Sequence, residues 1–243
     1  MNVSTIVPAR NEAGRLEEVI DKILNVSCVD EIVIVEGGSN DGTWDVAAAL
    51  MLKHPRKVHT IKQSRTGKFN AVLEAAEHCL GELVLIWDAD DTVSAEDNEK
   101  MIQIAVTNYC GVIGNRLNGE IFFKAMPRAN LIGNHFFAYL WAPVFGMNKV
   151  DCLCGSKIFP REVYFSIPAI LRKLDNYGDL SLITTAKLLG FEIKNIPVNY
   201  YPRQYGVTGM KPWRTSARFF VVSLISYCYL LGSVFSKKKH QSY

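Results

Sequence analysis

Strand-like and helix-like segments alternate along the first 87 residues of this 243-residue chain. Four short apolar runs predict strands, and the segments between them carry apolar residues at helical spacing. The runs are residues 3–7, 31–35, 58–62 and 83–87. Such alternation favours a parallel, doubly wound sheet joined by right-handed crossovers. The sequence therefore predicts an α/β fold with a mostly parallel sheet, in a chain long enough for one domain and an appendage.

The fourth apolar run ends in three carboxylates, those of Asp88, Asp90 and Asp91. In open α/β sheets, ligands bind at the carboxyl ends of the strands. Carboxylates crowded there repel one another unless a cation compensates them, and Mg²⁺ or Mn²⁺ accepts oxygen ligands and can also hold a diphosphate. We predict that Asp88 and Asp90 bind such a metal and that Asp91 begins the following loop. A solvated turn that also caps the next helix is the alternative.

The ends of the other predicted strands also carry polar residues. Candidate nucleotide-binding residues are Pro8, Ala9, Arg10 and Glu12 after the first strand, Glu36 and Asp41 after the second, and Lys68 after the third. A carboxylate such as that of Glu36 can accept hydrogen bonds from a ribose or a base. Lys68 lies at a predicted helix start, which is a favourable place for an anion. For Asp41, a turn and helix cap is an equal alternative.

Charge and cysteine usage limit the class of protein. The net charge of +3 is too small to imply a nucleic-acid partner, and none is expected. The six cysteines lack the paired spacing of a zinc site, so reduced thiols of a cytosolic protein are expected. The N-terminus has no basic region before an apolar one, and is interpreted as a strand rather than a secretory signal.

The order of the motifs resembles that of family-two GT-A glycosyltransferases. The matching motifs are Val7-Pro8-Ala9-Arg10-Asn11-Glu12, residues 35–43, Gly67-Lys68-Phe69-Asn70-Ala71 and Asp88-Ala89-Asp90. The resemblance implies a GT-A fold in which a GDP- or UDP-linked sugar lies across the first half of the sheet. It also implies that the Asp-x-Asp element, which includes Ala89, holds the metal on the diphosphate of this donor.

Motifs in the second half of the chain are similar to those of dolichyl-phosphate mannose synthases and related bacterial polyprenyl-phosphate transferases. They are residues 114–116, 151–159, 178–180, 196–200 and 203–208. Two positions depart from the pattern of that branch. Gly178 precedes Asp179 where Glu-Asp is common, which leaves the catalytic base open. Arg10 stands where an aromatic residue is common, which leaves the nucleobase open.

The residue types and the resemblance together suggest roles in sugar transfer. A metal held by Asp88 and Asp90 would neutralise the charge that develops on the leaving diphosphate, and Arg203 and Arg116 would assist it. Asp179 is the candidate base for a hydroxyl acceptor. A phosphate acceptor is already an anion, so beside it Asp179 would instead orient the acceptor or the sugar. The alternative for Asp179 is a cap of the following helix.

Cationic and hydroxyl side chains are also predicted for the acceptor. Its phosphate would be held by Arg128, Arg203, Thr208 and Lys211. Ordinary solvated surface is the alternative for Arg128 and Lys211. A single inverting displacement is expected from the resemblance and from the lack of an evident second nucleophile.

Two apolar stretches predict contact with a membrane. Residues 219–235 are uncharged, and as a helix they would reach about 26 Å, slightly short of the roughly 30 Å hydrocarbon core. Residues 131–145 are rich in aromatics and are expected to be broken by Pro143. We predict a helix pair in the membrane interface; burial or an oligomer contact is the alternative. Residues 1–212 would then form the catalytic domain, and residues 213–243 a membrane-associating helix with a basic tail.

The sequence thus predicts a peripheral or monotopic enzyme on the cytoplasmic side of a membrane. It would transfer a sugar from a nucleoside diphosphate to a polyprenyl phosphate with Mg²⁺ or Mn²⁺. Three alternatives stay open. They are a transferase that acts on a saccharide hydroxyl of an envelope polysaccharide, a sugar nucleotidyltransferase, and a nucleotide-sugar-binding protein without turnover. Against the second, the first strand is followed by Pro8-Ala9-Arg10-Asn11-Glu12 instead of a glycine-rich loop.

Overall fold

The computed structural model describes residues 1–146, 149–203 and 212–240. Within these residues the chain forms one seven-stranded sheet. The strands are β1 (Val3–Ala9), β2 (Glu31–Glu36), β3 (Val58–Lys62), β4 (Leu83–Ile86), β5 (Gly111–Asn115), β6 (Lys157–Pro160) and β7 (Ile193–Pro197). Consecutive residues of β2 and of β4 are all buried, so both faces of the central sheet are covered.

The same residues form nine helices. They are α1 (Leu16–Leu24), α2 (Thr43–Lys53), α3 (Lys68–His78), α4 (Ala95–Asn108), α5 (Arg128–Phe145), α6 (Glu162–Phe165), α7 (Ala169–Leu174), α8 (Asp179–Leu188) and α9 (Pro212–His240). Apolar residues recur in α1 at helical spacing, and this face is buried against the core.

The strand order is β3-β2-β1-β4-β6-β5-β7. The first four strands are parallel neighbours, β6 runs antiparallel to β4 and β5, and β7 is parallel to β5. The predicted α/β fold with a mostly parallel sheet is confirmed. The chain adds β2 and β3 on one side of β1 and β4 on the other, so the strand order reverses between β1 and β4. Ligands bind at such a switch point, beyond the carboxyl ends of the strands.

Helix α9 packs against α5 and α8. The ring of Phe219 lies 5.8 Å from that of Phe137, and Trp141 Nε1 donates a hydrogen bond to Ser223 Oγ at 2.9 Å. Because α9 covers it, α8 is buried over most of its surface. The two apolar stretches, residues 131–145 and 219–235, therefore form a pair of packed helices. The division of the chain at residue 212 into a catalytic domain and a membrane-associating helix stays a prediction.

The prediction that Pro143 breaks the apolar stretch of residues 131–145 is wrong. Helix α5 continues through Pro143 to Phe145 and ends at Gly146, which has a φ of 66°. The contact of Trp141 with Ser223, together with the Tyr227 hydroxyl that donates to the carbonyl of Leu140, holds these last turns against α9. Proline removes one backbone donor and crowds the preceding turn of the helix, and this packing offsets that cost.

Among the described residues, one helical segment, Arg214–Ser233, is long and apolar enough to cross a membrane by length and composition. Its mean hydropathy is 1.3 over the most apolar window. Soluble core helices can pass the same test, so this property alone does not establish a membrane span.

Candidate active site

The carboxyl ends of β1, β2 and β4 bring the predicted donor site together. Ala9 lies opposite Glu36 in the ladder between β1 and β2, and the backbone N–H of Trp87 donates to the carbonyl of Ile6 at 2.9 Å. Asp88 therefore follows β4 beside the turn that begins at Pro8. Sequence reasoning placed these segments on one edge of the sheet, and the strand register agrees.

Asp88 is paired with Lys68, the first residue of α3. Lys68 Nζ lies 2.5 Å from Asp88 Oδ1. Burial disfavours both charges, but their attraction outweighs it, so the pKa of Lys68 is raised and the pKa of Asp88 is lowered. Both groups are therefore charged near neutral pH.

Asp90 is paired in the same way with Arg203. Arg203 Nη2 lies 2.6 Å from Asp90 Oδ2, and the Thr92 hydroxyl donates to Asp90 Oδ1 at 3.1 Å. Burial opposes the charge of Arg203, but Asp90 together with Glu12 and Asp88 raises its pKa. The guanidinium that was predicted to assist the leaving group thus lies at the predicted metal ligands.

Asp91 does not share this arrangement. Its Oδ2 atom lies 3.0 Å from Arg15 Nη2 and 2.7 Å from Lys22 Nζ, both on the side of α1. Its φ of 52° and the bond from its N–H to the carbonyl of Asp88 form a tight turn. Asp91 therefore ties the acidic turn to α1, while Asp88 and Asp90 carry the pairs with Lys68 and Arg203.

Asp88 and Asp90 fit a divalent cation that is shared with a phosphate ligand. No group of three or more His, Cys, Asp or Glu side chains suited to a metal occurs in the part of the chain that the structure describes. Mg²⁺ commonly takes one or two carboxylates and completes its shell with substrate phosphates and water. The donor set of two carboxylates therefore suits a metal bound together with a diphosphate.

Gly155 leaves the space that the carboxylate of Asp88 occupies. A Cβ atom at Gly155 would lie 2.0 Å from Asp88 Oδ2. The residue stands in a quoted motif, but its importance to the site was missed because it acts through the absence of a side chain. A glycine next to a predicted strand end is the only sign of such a close approach that the sequence offers.

We expect Gly155→Ala to reduce sugar transfer roughly 10²-fold, because the new methyl group must displace the Asp88 carboxylate and a shift of about 1 Å costs that much in a positioned site. Initial rates over a range of Mn²⁺ concentrations measure the effect. Gly133→Ala is the matched control, since a Cβ atom there would be 4.0 Å from its nearest neighbour, Ser216 Oγ. An unchanged rate for Gly155→Ala would contradict the assigned position of Asp88.

The predicted nucleotide residues of β1 and β2 lie near each other at this edge. Glu12 is buried, and burial raises its pKa. Its Oε2 atom has no hydrogen-bond partner among the described residues. Glu36 accepts a hydrogen bond from the N–H of Ser39. Arg10 is exposed beside Gly37: a Cβ atom at Gly37 would lie 3.2 Å from the Cβ of Arg10 and 3.1 Å from Oε1 of Gln63, a residue that sequence reasoning missed.

Asp41 forms the turn before α2, whose N-cap position is Gly42. Its carboxylate accepts from the N–H of Thr43 at 3.1 Å and from the N–H of Ala13 at 3.1 Å. Burial opposes the charge of Asp41, but these hydrogen bonds and that of the Thr43 hydroxyl together lower its pKa. Asp41 thus holds the loops after β1 and β2 together, and its contact with a ribose or base stays a prediction.

Asp179 is buried and is paired with Lys157 of β6. Lys157 Nζ donates to Asp179 Oδ1, and the Lys157 side chain is only 1 % exposed. Burial raises the pKa of Asp179 to about 6, against the attraction of Lys157 and Lys68. Lys157 was not among the predicted site residues, because only the sheet topology brings β6 next to the start of α8.

The cap of α8 is formed by Asp175. This carboxylate accepts from the N–H groups of Gly178 at 2.9 Å and Ser181 at 3.0 Å. The alternative interpretation of Asp179 as a helix cap is therefore not needed. Gly178, with a φ of 82°, lies against the ring of Phe69, the residue after Lys68. The turn before Asp179 is thus packed on the start of α3.

Arg116 forms a buried ion pair. Its guanidinium forms a buried bidentate pair with Asp151, with distances of 2.6 Å from Nε and 3.0 Å from Nη2. Burial opposes its charge, but Asp151 holds the pKa of Arg116 well above its usual range. Arg116 therefore fastens the loop that leads to Gly155, and its assistance to the leaving group stays a prediction.

The remaining predicted residues lie at the edge of the site or outside the described part. Pro8 is partly buried, and Ala9 and Ala89 are buried. Arg128 is the exposed first residue of α5. Thr208 and Lys211 lie outside the described residues.

Comparison with known proteins identifies the family. The model described as glycosyl transferase family 2 matches residues 4–165. The chain belongs to this family. It is 30 % identical over 222 residues to glycosyltransferase AglJ of Haloferax volcanii, covering 90 % of this chain and 70 % of that relative. It is 32 % identical over 213 residues to dolichyl-phosphate beta-glucosyltransferase ALG5A of Trichomonas vaginalis, covering 82 % and 65 %.

The predicted family and its polyprenyl-phosphate branch are confirmed by these matches. The present chain covers about two thirds of the length of ALG5A. A solved structure confirms the fold as well: glucosyl-3-phosphoglycerate synthase of Mycobacterium tuberculosis superposes with a TM-score of 0.64 at 19 % identity, covering 91 % of this chain and 78 % of that one. That structure is a complex with Mn²⁺, uridine diphosphate and phosphoglyceric acid.

Proposed function

We propose that this family-2 member is a metal-dependent, inverting transferase that moves a sugar from a nucleoside diphosphate to a polyprenyl phosphate. The proposal rests on the carboxylates of Asp88 and Asp90 at the β1–β4 switch point. Each of them is paired with a positively charged side chain. The name of ALG5A indicates a dolichyl-phosphate acceptor for that relative. A related acceptor is the simplest assignment for this chain.

The donor would lie across β1, β2 and β4. Arg10, Gly37 and Gln63 lie close together at this edge and would hold the base, and the buried Glu36 would accept a hydrogen bond from the ribose. Lys68 and Arg203 would hold the diphosphate at the other end. GDP- and UDP-linked sugars both fit these residues.

Asp88 and Asp90 would hold Mg²⁺ or Mn²⁺. When bound, the metal would supply charge to neutralise the diphosphate as the sugar leaves it. Lys68 and Arg203 would add two fixed positive charges in a partly buried site, where such charges stabilise a leaving group more than in water. The leaving group therefore needs no protonation by the chain.

A cavity between α7 and α9 supports a lipid phosphate as acceptor. The cavity has a volume of about 710 Å³ and lies between the α7–α8 connection and the first turns of α9. Arg214 and Arg218 line it together with Tyr177 and Val221, so it offers both cations and apolar surface. The α7–α8 connection ends where α8 begins, at Asp179. Arg128, Arg203, Thr208 and Lys211 remain the proposed ligands of the acceptor phosphate itself.

Exposed apolar side chains on α5 and α9 support attachment to a membrane. On α5, Ile132, Phe136 and Tyr139 are exposed at a spacing that puts them on one side of the helix. On α9, Phe220 and Leu224 are exposed in the same way. Large exposed apolar faces mark membrane or protein contacts. We propose that both faces lie in the interface on the cytoplasmic side, with a homo-oligomer contact as the alternative.

One observation favours a second candidate function. A carboxylate with a pKa of about 6, such as Asp179, is suited to take a proton from a hydroxyl near neutral pH. A saccharide hydroxyl is therefore the alternative acceptor. A non-catalytic binding protein is less consistent with the retention of Lys68, Asp88, Asp90 and Arg203.

The experiment that tests the function uses labelled donors and two lipids. Membranes that contain the protein are incubated with UDP- and GDP-linked sugars, Mg²⁺ or Mn²⁺, and either a polyprenyl phosphate or the matching polyprenol. We expect label in the organic phase only with the phosphate and the metal. Label confined to water-soluble products would contradict a lipid phosphate acceptor and favour the saccharide alternative.

A further inference from the structure

The two predicted metal ligands already have counter-charges from the chain. Lys68 Nζ lies 2.5 Å from Asp88 Oδ1, and Arg203 Nη2 lies 2.6 Å from Asp90 Oδ2. Together the ammonium and the guanidinium carry the same charge as one divalent cation. Both carboxylates are at least two-thirds buried, so they would repel each other strongly without compensation.

A cation that binds Asp88 must replace or displace Lys68. The second oxygen of Asp88 faces the backbone at Gly155, where an added Cβ atom would lie 2.0 Å from it. Little room is thus left for Lys68 and a metal ion on the same carboxylate. Lys68 is a point charge on a flexible stem, so it can move without loss of the helix that carries it.

Lys68 has other anions to turn to. Asp179 and Asp90 both act electrostatically on its ammonium in addition to Asp88. A donor diphosphate bound at this edge would offer further oxygens at the start of α3, where the helix N-terminus also favours an anion. Lys68 would therefore exchange one negative partner for another.

We propose that Lys68 and Arg203 are internal substitutes for the metal, which turn from the aspartates to the donor diphosphate when the cation binds. This inference rests on the proposed function. Metal alone would add two positive charges beside Lys68 and Arg203, whereas metal and diphosphate together add no net charge. The two ligands therefore bind cooperatively, and Lys68 is the residue that couples them.

The test measures Mn²⁺ binding by calorimetry or electron spin resonance, with and without UDP or GDP and without turnover. Wild type binds Mn²⁺ weakly alone and more tightly with the nucleotide. In Lys68→Met the competitor is gone, so Mn²⁺ alone binds about tenfold more tightly and the gain from the nucleotide shrinks. Lys68→Arg keeps the positive charge and returns the affinity toward that of wild type.

Lys22→Met is the matched control. It removes the same side chain from a neighbouring ion pair, that of Lys22 with Asp91 at 2.7 Å, and leaves Mn²⁺ affinity unchanged. Circular dichroism shows that each variant is folded before titration. Weaker or unchanged binding of Mn²⁺ to folded Lys68→Met would overturn the proposed exchange of partners. It would not contradict the assignment of Asp88 and Asp90 as metal ligands. Failure of wild type to bind Mn²⁺ with either nucleotide would instead overturn the metal-dependent function and the exchange together.

Discussion

Asp88→Asn is expected to lower kcat/KM for sugar transfer about 10³-fold or more, because it removes a metal ligand and leaves Lys68 without its partner. Removing one charged element that acts on a leaving group costs about 10² to 10³ on its own. The loss of the metal adds to this cost. Initial rates over a range of donor concentrations, repeated at several Mn²⁺ concentrations, measure both effects, since the variant is also expected to require much more metal.

Asp91→Asn is the control for this change. It makes the same chemical substitution in the same turn, but Asp91 is paired with Arg15 and Lys22 on the side of α1. We expect lower stability with most of the transfer rate retained. An Asp91→Asn rate as low as that of Asp88→Asn would contradict the assignment of separate roles within the acidic turn.

Lys157→Met is expected to lower the free energy of unfolding by about 1–3 kcal/mol at pH 7, because it leaves the buried carboxylate of Asp179 without its partner. Urea denaturation measures this change. The double variant Lys157→Met/Asp179→Asn removes both charges and is expected to recover most of the loss. Recovery identifies the penalty as that of an unpaired buried charge. No recovery would mean that Lys157 stabilises the fold through other contacts.

Asp179 also gives the stability of the protein a defined pH dependence. The pKa of Asp179 is raised from 3.8 to about 6, so the folded protein binds this proton more tightly than the unfolded chain. Its contribution to stability is fully present below pH 3.8 and is lost as the pH rises through about 6. We expect Asp179→Asn to lack this decline. A variant with the wild-type decline between these pH values would assign it to another group.

The double variant also separates the two acceptor classes. A phosphate acceptor has no proton to lose in the attack, so the folded Lys157→Met/Asp179→Asn protein should retain measurable transfer to a polyprenyl phosphate. A hydroxyl acceptor needs a base, whose loss costs about 10² to 10⁴ in rate. Complete loss of transfer in this folded variant would favour the saccharide acceptor.

The parallel half of the fold could be predicted because its signals are local. The strands β1 to β4 are short apolar runs separated by helical periodicity, and the acidic turn follows directly from β4. The second half could not be derived in this way. Strand β6 runs antiparallel between β4 and β5, and this insertion depends on contacts between distant parts of the chain. For the second half of the chain, functional motifs could be recognised only through the resemblance to a family.

The same distinction applies to the residues of the site. Asp88, Asp90 and Lys68 were predicted because each stands at a strand end or a helix start. Arg116 was predicted from its motif and its charge, but its buried pair with Asp151, a residue far along the chain, could not be inferred from the sequence. Lys157 was missed for the equivalent reason, since β6 reaches Asp179 only in the folded sheet. Gly155 was missed because it contributes space rather than a functional group.

The measurement that tests the central claim most directly is a ³¹P NMR spectrum of the lipid after incubation with donor, metal and protein. Transfer to a polyprenyl phosphate converts its phosphate monoester into a sugar phosphodiester and releases one nucleoside diphosphate for each molecule converted. The account predicts the loss of the monoester signal in step with this release, and its persistence in Asp88→Asn. An unchanged monoester signal while the donor is consumed and sugar is incorporated elsewhere would contradict it.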